Sequence, residues 1–220
     1  GLNSGDIDND GWMDTDSGTG TPNYTSLVPK RMFRNNEGKA YQDVTHSGGF
    51  GHLQKGHGIG FGDVDNDGDQ DVYEDMGGGY EGDGFQGAFY ENPGITRNNW
   101  VSLQLVGTIA NKSAMGTKVK ITVQNQDKSI RDIYLVVTNG GSFGVNSNRL
   151  ETGIGKAVAI KQIEITWQGP NNKQVLNDLP INSFMKIIEG EAAFEILPLK
   201  SFKFAAMPAD SMMMHHGHEM

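Results

Sequence analysis

No cysteine occurs in the 220 residues, so no disulfide braces the fold and thiol usage says nothing about the redox compartment. No apolar run is long enough to cross a bilayer as a helix. Runs of Ala, Leu, Glu and Lys that would build long helices are missing, whereas Gly reaches 31 residues. That balance argues for short strands and many turns, hence an all-β chain. Positive charge is also scarce. Eighteen Lys and Arg against 27 Asp and Glu leave a net charge of −9 and a pI near 5.0, which argues against nucleic acid or an anionic membrane surface as partner. At roughly 100–200 residues per domain, the length suffices for about two modest domains.

What the chain does have is acid concentrated in two places. Asp63, Asp65 and Asp67 stand at alternate positions, so a tight turn aims three hard oxygen ligands at one centre. Gly68 supplies the bend, the carbonyl of Asp69 can face inward, and Asp71 closes the far side. Carboxylates this close would repel one another without a cation. The same ladder, offset by 57 residues, occurs earlier as Asp6, Asp8, Asp10, the Trp12 carbonyl and Asp14, so the chain repeats. Two calcium ions with all-oxygen coordination are the expectation. Taken alone, the second ladder also fits an EF-hand, with Glu74 at its twelfth position. The flanks exclude that: residues 57–62 hold three glycines and residues 76–84 hold five, so neither side can carry the required helix, and the first ladder has Ser17 at its twelfth position.

Phe61-Gly62-Asp63 followed by the aspartate ladder resembles the FG-GAP or VCBS repeat, the calcium-bearing blade unit of integrin-type β-propellers. The segment from Met32 to Thr45 between the two ladders is similar to that family's hairpin of two strands joined by an Asn/Gly turn. From Asn99 the texture changes. Residues 100–106, 118–123 and 160–167 alternate between apolar and polar, as half-buried strands do. Further strands are expected over 130–138, 173–175 and 184–189, separated by Gly, Asn or Pro turns, which together make an antiparallel sandwich or barrel. Residues 111–119, 140–144 with 149–155, and 163–170 resemble the ASPIC/UnbV domain, which commonly follows FG-GAP repeats in secreted proteins similar to cartilage acidic protein. The expected organisation is therefore two propeller-type calcium-binding repeats over 1–94, an ASPIC/UnbV-like β domain over 95–199, and a Met/His-rich tail over 200–220.

Two repeats cannot close a propeller ring, and only five residues precede the first ligand. The chain therefore reads as a mature form or a fragment. Its expected partners are other copies of itself or a missing N-terminal propeller portion, with glycans as an open alternative. Exposed strand edges on a broken propeller favour self-assembly. The sequence offers no nucleophile with a base, no phosphate loop and no raised carboxylate pair. Ser142, between glycines, reads as part of a tight turn rather than a nucleophile elbow. A non-enzymatic, calcium-stabilised structural or adhesion protein at the cell exterior, where calcium is plentiful, is the leading expectation.

Three smaller features complete the reading. Asn23-Tyr24-Thr25 is either a glycosylation acceptor or an unmodified polar loop. His52 and His57 read as loop histidines, since imidazole is not a preferred calcium ligand. In the tail, His215, His216 and His218 stand close to Met212, Met213 and Met214. Thioether suits Cu(I) and imidazole suits Cu(II), Ni or Zn, so this group could hold copper or another transition metal. The alternatives are a solvated tail, or methionines packed against a neighbouring subunit.

Overall fold

The structure, a computed structural model, describes residues 1–205 apart from 21, 22, 24, 27, 79, 80, 83, 95, 170 and 171. Among the described residues there is no helix, and the chain is a propeller-like succession of four small sheets. The first sheet runs β1 (Leu2–Gly5), β2 (Asp14–Ser17), β3 (Arg31–Asn36) and β4 (Ala40–Asp43), each antiparallel to its neighbour. The turn between β3 and β4 puts Glu37 and Gly38 in the left-handed region, at φ 55° and 71°, which is what an Asn/Gly hairpin turn requires. The second sheet holds β5 (Gly56–Gly62), β6 (Asp71–Met76) and β7 (Ala88–Tyr90). Strands therefore enter and leave both aspartate ladders, as expected.

A small core of Met32, Phe50, Ile59, Phe61 and Val72 fills the space between these two sheets. A charged contact lies beside it. Lys30 Nζ is 2.6 Å from Glu74 Oε2, with both side chains fully buried. Gly56 makes room for the lysine, since a Cβ there would lie 2.3 Å from Lys30 Cε. Asp16, also fully buried, sits close to this pair.

The remaining strands form a sandwich. One sheet has the order β10 (Ile130–Val136), β9 (Lys118–Gln124), β12 (Ala159–Thr166), β13 (Lys173–Leu179). The facing sheet has the order β11 (Leu150–Gly155), β8 (Asn99–Val106), β14 (Ser183–Ile188), β15 (Phe194–Leu197). Alternate residues of both sheets point inward and share one core, including Val101, Leu103, Ile121, Ile163, Ile165, Met185 and Ile187. Trp167 closes it, 2 % exposed, its indole N–H donating to Gln174 Oε1 at 2.9 Å. Burying each such aliphatic side chain is worth about 1.5–3 kcal/mol, so this sandwich is the stable body of the molecule.

Three sequence expectations need correction here. The sandwich is not wholly antiparallel, because β14 pairs with β8 in parallel. The chain leaves β8 for the opposite sheet, returns beside it as antiparallel β11, crosses again through β12 and β13, and only then re-enters on its other side as β14 running the same way, a path that alternation of side chains cannot report. Strands β11 and β15 were not expected, and β13 is longer than the short strand foreseen. In β11 the sequence Leu-Glu-Thr-Gly-Ile-Gly carries two glycines, which mask its strand pattern.

Candidate metal centre

Each aspartate ladder spans the tight connection between two strands of one sheet: β1 to β2 for the first, β5 to β6 for the second. The turn needs two left-handed residues. Asn9 and Gly11 supply them in the first loop at φ 54° and 88°, and Asn66 and Gly68 in the second at 60° and 101°. Asparagine tolerates this region better than other residues with a side chain, and glycine has no penalty there.

Hydrogen bonds then aim the carboxylates inward, and they repeat between the loops. Asp6 Oδ1 accepts from the backbone N–H of Asp10 at 3.0 Å, and Asp63 Oδ1 from that of Asp67 at 2.9 Å. Asp10 Oδ1 accepts from the N–H of Trp12 at 2.8 Å, and Asp67 Oδ1 from that of Asp69 at 3.0 Å. Asp14 Oδ2 accepts from Ile7 at 2.9 Å, and Asp71 Oδ2 from Val64 at 3.1 Å. As a result, carboxylate oxygens of Asp6, Asp8 and Asp14 lie within 4.8 Å of one another, as do those of Asp63, Asp65 and Asp67. Asp10 and Asp71, also expected as ligands, are the hydrogen-bond acceptors beside these triads. The Asp69 side chain is turned to Asn9, which donates to its Oδ1.

The electrostatics follow from burial. Asp6 and Asp14 are fully buried, and Asp63, Asp65 and Asp71 nearly so, while Asp67 is exposed. Burial pushes Asp6 up to about 7, against the pull of the Gly153 N–H, and Asp14 up to about 8. It also pushes Asp63, Asp69 and Asp71 up to about 6. Two arginines relieve this in part, with Arg34 Nε 3.4 Å from Asp8 Oδ2 and Arg149 Nη2 3.5 Å from Asp63 Oδ2. One oxygen in each loop remains without a partner. Asp8 Oδ1 and Asp65 Oδ1 are both buried and, among the described residues, accept no hydrogen bond, and the two residues occupy the same position of the repeat. A buried carboxylate oxygen with no donor is rare in folded proteins. An all-oxygen set of this kind fits a hard divalent cation of calcium's size.

Residues outside the ladders also belong to the site. Asn35 N–H donates to Asp14 Oδ1 at 2.7 Å, and its side chain to the Met13 carbonyl at 3.1 Å. Asn92 does the same in the second repeat, to Asp71 Oδ1 at 2.8 Å and to the Gln70 carbonyl at 3.1 Å. Both asparagines lie 21 residues beyond their aspartate, so the 57-residue offset could have found them. The loops are also tied to each other. Gln70 Oε1 accepts from the Asp6 N–H at 2.6 Å, Asn9 Nδ2 donates to the Gly68 carbonyl at 2.9 Å, and Asn92 Nδ2 donates to the Ile7 carbonyl at 2.6 Å.

Of the smaller features, Asn23 is exposed, and its Oδ1 accepts from the N–H and hydroxyl of Thr25. His52 is exposed and His57 half-buried, its Nδ1 without a partner. Ser142 lies exposed in a turn whose backbone N–H donates to the Leu2 carbonyl at 2.8 Å. His215, His216, His218, Met212, Met213 and Met214 lie outside the described residues.

Residues 107–194, most of the sandwich, match the family model described as ASPIC and UnbV. No curated protein matches the chain.

Proposed function

We propose that the two aspartate loops are calcium sites and that the chain is a calcium-stabilised extracellular binding or structural protein. The observation that carries this reading is the matched pair of buried, unpartnered oxygens on Asp8 and Asp65. A cation satisfies both and relieves the mutual repulsion of the surrounding carboxylates. In the first loop Asp6, Asp8 and Asp14 would hold it, with Asp10 and the Trp12 carbonyl at the rim. In the second, Asp63, Asp65 and Asp67 would do so, with the Asp69 carbonyl and Asp71. Titrating ion-free protein with calcium in a calorimeter should give two ions per chain, and uptake of none would overturn the reading.

A role in adhesion or surface assembly is the function that suits such a module. The edge strand β4 is exposed along its whole length, and an unpaired edge recruits a strand from another copy or from a preceding propeller portion. Calcium of moderate affinity is useful outside the cell, which supports that location. Asn23, exposed in its loop, is accessible for glycosylation, and copper binding by the Met/His tail remains part of the proposal. Measuring the native particle mass with and without chelator tests assembly. Truncation after Ala209 followed by copper analysis tests the tail.

A further inference from the structure

The two aspartate loops are not finished by the propeller-type repeats alone. Strand β11 of the sandwich lies against both of them. On one side it is anchored, with Leu150 and Ile154 buried in the sandwich core. On the other side its polar and glycine positions meet the loops. Gly153 N–H donates to Asp6 Oδ2 at 2.8 Å, the same oxygen that accepts from Gly11 N–H at 2.9 Å within the loop. Gly155 N–H donates to the Asn9 carbonyl at 2.9 Å. At the second loop, Glu151 Oε2 accepts from the Asp63 N–H at 3.0 Å. Arg149, ion-paired with Glu151, donates to the Asp63 carbonyl at 3.0 Å. The register of β11 on β8 shifts between Gly153 and Gly155, a bulge that turns Gly153 toward the first loop. The approach is so close that a Cβ on Gly153 would lie 1.9 Å from the Asn9 carbonyl carbon.

From this geometry we infer that Gly153, together with Glu151 and Arg149, acts as a set of positioning residues for both cation sites, so that ion binding and the seating of β11 on the loops are one linked equilibrium. The inference rests on the calcium reading above and goes beyond it. None of these three residues needs to touch an ion. Gly153 fixes which way Asp6 points, while Glu151 and Arg149 hold the backbone from which Asp63 projects. Removing partners of this kind from a metal ligand typically weakens binding about 10- to 100-fold. By reciprocity, an ion that binds better when β11 is seated must also strengthen that seating by the same factor.

The test uses the whole chain, titrated with calcium alone, with two readouts: calorimetric affinity and backbone hydrogen exchange over residues 146–155. In the unaltered protein, calcium should slow exchange across this segment although it contains no ligand. Gly153→Ala, which leaves every loop aspartate in place, should weaken one of the two calcium steps by tenfold or more. Glu151→Gln, close to isosteric, should weaken the other and spare the first. Should Gly153→Ala fail to fold, Glu151→Gln and the exchange measurement carry the test alone. Two ions bound with unchanged exchange over 146–155, or unchanged affinities in the folded variants, would overturn the inference and leave the calcium reading standing. No calcium uptake by the unaltered protein would overturn both.

Discussion

If the loops hold calcium as proposed, removing it should reverse the pH dependence of stability, and the first loop gives the sign. Burial, the main cause, holds Asp6 at about 7 and Asp14 at about 8 in the ion-free fold, against an ordinary value near 4 in the unfolded chain. Below about pH 4 both states are protonated and nothing is lost. As the pH rises from 4 toward 8, the folded state must hold protons that the unfolded chain has already released, so stability falls and then levels off. For Asp6 the shift of about 3 units corresponds to about 4 kcal/mol. Between pH 5 and pH 8.5 about 2 of those units are lost for Asp6 and about 3 for Asp14. Asp6 slightly raises Asp14, so the two do not simply add, and the loop loses about 5–6 kcal/mol over that range. In a chain of this length, about 2–4 °C of melting temperature accompanies each kcal/mol, giving a fall of roughly 10–20 °C between pH 5 and pH 8.5. With calcium bound the carboxylates must be ionised, and binding weakens on acidification, so the loaded protein should hold or gain stability as the pH rises. The assay is thermal melting followed by circular dichroism, on protein stripped over a chelating resin and on the same protein with millimolar calcium. Parallel pH curves with and without calcium would refute the reasoning.

Two further outcomes concern the scaffold. Glu189 is buried, which pushes its carboxyl up, but the N–H groups of Ala110, Thr108 and Ile109 at 2.7–2.8 Å and the Asn172 side chain outweigh this and hold it below the usual range. Its contribution is therefore present above the ordinary Glu value and is lost as the pH falls through the folded value. Glu189→Ala should destabilise by about 2–4 kcal/mol in urea unfolding at pH 7, and by clearly less near pH 3. Lys30→Met leaves Glu74 buried and unpaired and should destabilise by about 3–5 kcal/mol, with Lys30→Met/Glu74→Leu recovering much of the loss. A single variant as stable as the parent would show that the buried pair does not hold the first two sheets together.

The two aspartate loops were readable without coordinates because their pattern is local: carboxylates at alternate positions and a glycine at the bend lie within one turn of chain. The half-buried strands of the sandwich were readable for a similar reason, since alternation in β8, β9 and β12 reports one wet and one dry face whatever the partner. Asn35 and Asn92 lay within reach of the same reasoning, because the repeat offset that pairs Asp14 with Asp71 pairs them too. What alternation could not report was direction and neighbourhood. The parallel pairing of β8 with β14 depends on where the chain re-enters the sheet, and β11 hides its strand character behind Gly153 and Gly155. Those two glycines read as turn residues in one dimension. Only the tertiary structure makes them contact residues, because it carries Gly153 across a sequence separation of 147 to Asp6, and the absence of a side chain there is set by the backbone of Asn9 on the facing unit, which no local pattern records.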